Sequence, residues 1–316
     1  MSKTKAWISA MRLRTLPLSF SVIIVGNGLA YSLYGKMLSS MFGTKSGSFR
    51  WDIFGLTLLT TLLLQILSNF ANDYGDSKKG ADNEGRIGPE RAVQSGIISS
   101  SQMLKAVIIT ALLSLISGIA LLYVAFGSFE QIFIEFLILG VLAILGAIGY
   151  TVGKKAYGYL GLGDFFVFLF FGLLGVFGSF YLHHQILYYP AILFGVMMGA
   201  ISTAVLNLNN MRDRENDSLV GKKTLAVRLG FGVSKVYHYI LFGIFWVPIV
   251  IMLSDDLKGN WLVLLMFTPV LAIHVLHLRK VAKIQLPAEF DPELKKVALS
   301  AFLFSLIFFM TVYFGL

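Results

Sequence analysis

Residues 51–82 read WDIFGLTLLTTLLLQILSNFANDYGDSKKGAD. The first two-thirds of this stretch is apolar. It is long enough for a helix to cross a bilayer, whose hydrocarbon core of about 30 Å takes about 20 residues at 1.5 Å each. The last third holds acids, amides and lysines together. On a helix, Asn69, Asn72, Asp73 and Asp76 are spaced i, i+3, i+4, i+7 and share one face, and Gln65 extends that stripe one turn deeper. A membrane-spanning helix here ends in a stripe of carboxylates and amides.

The rest of the chain fits a membrane setting. Of 316 residues, 56% are hydrophobic and 14% charged, and the mean hydropathy is +0.76. A soluble domain carries about a quarter of its residues charged, so this chain cannot coat a water-facing surface. The same balance excludes a disordered chain, and the absence of Cys excludes a disulfide scaffold. Nine segments have spanning length: 17–35, 52–72, 102–126, 131–150, 164–183, 188–209, 236–254, 261–278 and 297–316. Two divisions rest on few residues, Gly127, Ser128 and Glu130 in one case and His183, His184, Gln185 and Pro190 in the other. The predicted class is all-α, a polytopic membrane protein.

Lys3, Lys5, Arg12 and Arg14 precede a first span that lacks a small-residue cleavage site, so it reads as a retained helix rather than a signal peptide. With the N-terminus inside, 22 of the 26 basic residues fall on the inner face. The positive-inside rule then accounts for the +9 charge without a nucleic-acid partner. The predicted location is the cell (inner) membrane. Twelve of the 17 acids share that inner face.

A second polar stripe follows span six. Asn209, Asp213 and Asp217 are spaced i, i+4, i+8 on one helix face. Asn69-to-Asp73 recurs as Asn209-to-Asp213, and each stripe is followed by a Lys-Lys pair, Lys78-Lys79 and Lys222-Lys223. Stacked carboxylates repel one another and are costly at a membrane boundary without a cation. Hard oxygen donors without His or Cys suit Mg²⁺, which takes one or two carboxylates plus substrate phosphates. Downstream Lys and Arg residues suit the phosphate side. The bland alternative is a set of solvated loop charges. In the third inner loop, Tyr150 and Lys154 sit at the cavity-side end of span four, while Tyr157 and Tyr159 read as interfacial rings. His274 and His277, three apart on span eight, read as packed or interfacial side chains, since no third ligand lies near.

Four motifs occur in order: Asn72-Asp73-Tyr-Gly-Asp76 with Lys79-Gly80-Ala-Asp82; Arg86-Ile-Gly-Pro89-Glu-Arg91 through Gly96; Tyr150-Thr-Val-Gly with Tyr157 through Asp164; and Asn210-Met-Arg-Asp213 with Gly221 through Leu225 and Arg228-Leu-Gly230. Arg14-Thr15-Leu16-Pro17 opens the chain in keeping with them. Together they resemble the UbiA superfamily of intramembrane prenyltransferases along essentially the whole chain, and its naphthoate branch most closely. The resemblance implies nine helices around a central cavity in one domain, 1–316, with inner active-site loops near 73–101, 151–163 and 210–235. It implies Mg²⁺ as cofactor, a polyprenyl diphosphate and 1,4-dihydroxy-2-naphthoate as substrates, and a prenylated quinol (demethylmenaquinol), CO₂ and diphosphate as products. Asn72, Asp76, Asp213 and Asp217 are then the expected metal ligands. Lys79, Arg86, Arg91, Lys222, Lys223 and Arg228 are expected on the diphosphate. Asp73, Tyr150 and Lys154 are expected near the acceptor ring, alongside the catalytic Asp76, Asp213 and Asp217. The superfamily's third acid is replaced by Gly80, and Asp82 follows two residues later as a further metal candidate. Other acceptors, such as 4-hydroxybenzoate or homogentisate, fit the same motifs. A secondary transporter would place its ionisable groups near the midplane, whereas these acids cluster at helix ends on one side.

Overall fold

A computed structural model describes residues 2–41, 49–83, 87–88, 91–255 and 261–315. No strand occurs among them. A short helix α1 (Lys3–Met11) is followed by α2 (Leu16–Met41), α3 (Trp51–Lys78), α4 (Ser100–Phe126) and α5 (Gln131–Gly149). Then come α6 (Gly163–His184), α7 (Tyr189–Leu219), α8 (Leu225–Asp255), α9 (Trp261–Lys283) and α10 (Phe290–Phe314). Among the described residues, nine helices are long and apolar enough to cross a membrane, α2 to α10.

Both divisions that rest on few residues hold. Gly127 takes a left-handed φ of 72° and closes α4, and Gln131 opens α5. Gln185, also left-handed at φ 52°, ends α6, and Pro190 opens α7 where a missing N–H costs nothing. Ser99 and Gln102 form a reciprocal capping box that starts α4. The helices overrun their apolar cores. α3 continues to Lys78 and α7 to Leu219, so Asp73, Asp76, Asp213 and Asp217 lie on final helical turns rather than in loops. Tertiary packing of those turns keeps them wound where hydropathy alone ends the segment.

α7 forms the centre, with 72% of its apolar window buried, and packs against α6, α8 and α10. α4 and α5 lie at the periphery. Ile108, Ile109, Leu112 and Ile116 of α4 and Ile134, Ile138 and Leu142 of α5 are exposed, as lipid-facing positions are. Within α6, residues Phe168–Phe177 wind with the wide π-type turn, opposite the closest approach to α7. There a Cβ on Gly172 would stand 2.6 Å from Gly199 Cα. Small residues let membrane helices touch backbone to backbone.

Buried polar contacts also hold α8, α9 and α10 together. His277 Nδ1 bonds Glu293, whose other oxygen bonds Lys296 at 2.6 Å. His277 Nε2 lies 2.8 Å from His238 Nε2, and His274 Nε2 lies 2.8 Å from Ser300 Oγ. These histidines join α8, α9 and α10 as packed side chains, in line with the sequence reading. Gly172→Val is expected to destabilise the protein by about 1–3 kcal/mol through overpacking. Gly243→Ala, with open space around it, should leave stability unchanged. Thermal unfolding in detergent compares them.

Candidate active site

The end of α3 and the segment just after it carry three carboxylates that meet one arginine. Asp73, 1% exposed, accepts from Arg12 Nη2 at 2.6 Å and from Arg91 Nη1 at 3.0 Å. Asp76 accepts from the Tyr159 hydroxyl at 2.8 Å and pairs with Arg91 Nη2 at 2.9 Å. Asp82 lies 2.8 Å from Arg91 Nε. Burial opposes the Arg91 charge, but Asp76, Asp82 and Asp73 outweigh it and raise its pKa. Without that guanidinium, a cluster of three buried acids would lose the base they share, which is unfavourable.

The deeper part of the α3 stripe has a different task. The Asn69 amide donates to the Met11 carbonyl at 2.9 Å. Gln65 donates to the Thr15 hydroxyl at 3.2 Å and accepts from the Ser19 hydroxyl at 2.7 Å. These bonds fasten the N-terminal segment across the end of α3. Arg12 ends α1 in a left-handed turn, φ 49°, and its side chain reaches Asp73 from there.

The second cluster is built around Arg212, whose side chain is 1% exposed. Its Nε and Nη2 grip both oxygens of Asp213 at 2.9 and 2.8 Å, Nη2 also reaches Asn209 at 2.8 Å, and Nη1 bonds Asp291 just inside α10. Asp217 Oδ1 lies 3.3 Å from Lys222 Nζ. Asp217 Oδ2 is buried with no hydrogen-bond partner among the described residues. Lys222 stands between the clusters. Burial opposes its charge, yet Asp217 and then Asp76 raise its pKa. The Asn216 amide donates to the Ala81 carbonyl at 3.1 Å, tying the α7 end to the segment after α3.

The segment after α5 closes the third side. The Thr151 hydroxyl is 3.0 Å from the Ala71 carbonyl and 3.2 Å from Asn72 Oδ1. The fit needs Gly75, where a Cβ would stand 2.8 Å from the Thr151 backbone. Tyr159 bonds Asp76 and carries Lys79 Nζ 3.9 Å above its ring, so it belongs to the site and is not merely interfacial. The amide of Lys223 donates to the Tyr159 carbonyl at 3.0 Å.

Below these groups lies a cavity of about 1070 Å³. Asn72, Asp73, Asp76, Arg91, Tyr150 and Lys222 line its polar end, and it reaches Phe136, Tyr181 and Leu182 at the far side of the bundle. Its wall just beneath the charges is aromatic. Tyr150 meets Tyr157 edge-on at 5.3 Å, Tyr157 meets Phe166 at 4.3 Å, and Phe166 stacks on Phe170 at 6.0 Å. Burial pushes the Tyr150 phenol up to about 12, so it is a neutral hydrogen-bond donor near pH 7 and not a base.

Not every expected residue comes to the cavity. Lys154, Lys223 and Arg228 are exposed and do not line it. The Arg228 guanidinium is used on the carbonyls of Leu160, at 2.6 Å, and Lys223, at 3.2 Å. Arg86 lies outside the described residues. Among the described residues, no three Asp, Glu or His side chains are gathered as a ready metal centre, because the carboxylates close on bases instead. The residues that sequence reading missed as site members are Arg12, Thr151, Tyr159, Arg212 and Asp291. Arg12 and Asp73 are 61 positions apart and Arg212 and Asp291 are 79 apart, beyond the reach of any local pattern.

Arg212→Ala is expected to cost about 3–5 kcal/mol of stability, because it takes the bidentate counter-charge from a buried Asp213. Arg228→Ala should change stability little. Thermal melts of the two proteins in detergent check this, and equal melting temperatures would count against Arg212 as the clasp.

A comparison with known proteins agrees with this architecture. The UbiA prenyltransferase family matches residues 32–291. The chain is 41% identical to the 1,4-dihydroxy-2-naphthoate octaprenyltransferase of Escherichia coli (strain K12), over 99% of this chain and 96% of that protein. It is 40% identical to the protein of the same name from Haemophilus influenzae, over 99% and 97%. A solved structure of digeranylgeranylglyceryl phosphate synthase has the same fold, with a TM-score of 0.60 at 15% identity, covering 99% of both chains. The chain is a multi-pass membrane protein and belongs to the UbiA prenyltransferase family.

Proposed function

We propose that this enzyme transfers a polyprenyl group from polyprenyl diphosphate to 1,4-dihydroxy-2-naphthoate, releasing diphosphate and CO₂ and leaving demethylmenaquinol. The observation that carries the reaction type is the pair of facing carboxylate clusters, with Lys222 between them, at the mouth of a long apolar cavity. The naphthoate acceptor rests on the two relatives of about 40% identity. The basic bias of one face supports an inner membrane location with the N-terminus and the site on the cytoplasmic side.

The donor set suits a hard divalent cation, Mg²⁺ above all. It offers carboxylate and amide oxygens, and the buried Asp217 Oδ2 awaits a partner. Asn72, Asp76, Asp213 and Asp217 would hold it, with Asp82 beside them. When bound, it would neutralise diphosphate oxygens and stabilise the charge that grows on the leaving group. Lys222, Lys79 and Arg91 add fixed positive charge on the same side of the breaking C–O bond, which favours the transition state over the ground state. The aromatic wall formed by Tyr157, Phe166 and Phe170 faces the allylic cation and excludes water from it. Tyr150, as a neutral phenol, donates a hydrogen bond that orients the acceptor. The isoprenoid tail lies along the cavity toward Phe136 and Tyr181.

Membranes supplied with Mg²⁺, a labelled polyprenyl diphosphate and each candidate acceptor test the reading. Product and CO₂ are expected with dihydroxynaphthoate. Asp76→Ala and Asp213→Ala should each abolish transfer at normal protein levels, and near-normal activity in both would refute the site. Tyr150→Phe is expected to lower kcat/KM by up to about tenfold, the worth of one hydrogen bond. Its pH profile between pH 6 and 9 should match the unaltered enzyme, since the phenol ionises only near 12. Loss of an alkaline limb in that variant would instead make Tyr150 a base.

A further inference from the structure

All three nitrogens of the Arg91 guanidinium lie within ion-pair distance of acids: Nη1 hydrogen-bonds Asp73 at 3.0 Å, Nη2 is 2.9 Å from Asp76 and Nε is 2.8 Å from Asp82. The arginine of the second cluster, Arg212, is rooted in the last turns of α7 and takes no part in the cavity wall. Arg91 is placed differently. It stands in the non-helical segment between α3 and α4, and it lines the polar end of the cavity. Arg12, on Asp73, lines that end too, but of the three arginines Arg91 is the one that contacts Asp76 and Asp82.

A divalent cation that bonds Asp76 through Oδ2 competes with Arg91 for that oxygen. The guanidinium would keep Asp73 and Asp82 but, buried, would lose the acid at its Nη2 edge, which is unfavourable. A diphosphate removes that obstacle, because paired anionic oxygens are what a guanidinium fork bonds best. Cation and diphosphate then help each other through Arg91, apart from any contact between themselves, and the help is reciprocal.

We propose that Arg91 is a transferable counter-ion, closed on Asp73, Asp76 and Asp82 in the unliganded protein and passed to the diphosphate on its arrival, so that the cluster takes up a divalent cation well only together with a diphosphate. The proposal rests on the metal–diphosphate reading above and adds to it the residue that couples the two. It makes Arg91 a positioning residue for loading as well as a charge on the leaving group.

Equilibrium dialysis of the purified full-length protein in detergent, with Mn²⁺ as probe and with or without inorganic diphosphate, tests it. Unaltered protein is expected to hold Mn²⁺ about tenfold more tightly when diphosphate is present. Arg91→Gln should bind Mn²⁺ alone about tenfold more tightly than the unaltered protein and should gain much less from diphosphate. Arg91→Lys keeps the charge but cannot span three carboxylates, and it should shift in the same direction. An Arg91→Lys protein that matches the unaltered one overturns the proposal, since net charge would then be the cause. Should the variants fail to fold, the unaltered protein decides alone: equal Mn²⁺ affinity with and without diphosphate overturns the coupling. Absence of Mn²⁺ binding in every condition is a separate result and overturns the metal–diphosphate reading itself.

Discussion

A carboxylate at a membrane boundary keeps its charge only while cations or several donors lie against it. The site end of this protein is arranged around that requirement. Asp73 draws in Arg12 from the N-terminal segment and Arg91 from the segment before α4. Asp213 holds Arg212, which reaches on to Asp291 at the start of α10. Asp217 holds Lys222 in the turn before α8. The pairs Arg12–Asp73, Arg91–Asp73 and Arg212–Asp291 join parts of the chain that are distant in sequence. Hydrophobic burial gathers the helices into a bundle but has no preferred register for their ends, and the ion pairs supply one.

The same arrangement separates two environments over a short distance. Fixed charges crowd one end of the cavity, and aromatic and aliphatic walls begin directly beneath. A leaving diphosphate and an allylic cation need opposite surroundings, the first polar and the second dry. The helices achieve this by ending α3 and α7 in polar turns while α4, α5 and α6 stay apolar alongside them. The wide turn in α6 and the small residues at its contact with α7 let the wall close tightly on the far side.

Similarity to other proteins divides along these lines. The shared fold with digeranylgeranylglyceryl phosphate synthase persists at 15% identity, as a bundle specified mainly by apolar periodicity can. Agreement with the two bacterial naphthoate enzymes runs through nearly the whole chain at about 40%, and that level carries the functional reading.

By itself the sequence determined the nine spans, their divisions at Gly127 and Pro190, and the two acidic stripes at matching helix ends. Those features are local. Span length follows from apolar run length, and a shared helix face follows from a spacing of three or four residues. Tertiary structure alone decided which base meets which acid. It placed Arg91 across three carboxylates, buried Arg212 against Asp213 and Asp291, and brought Tyr159 to Asp76. It also turned Lys154, Lys223 and Arg228 away from the cavity, although their positions beside the motifs are no different in kind from that of Lys222. The physical reason is that a long basic side chain takes the partner that three-dimensional packing leaves within its reach, and a spacing in sequence holds no record of that distance.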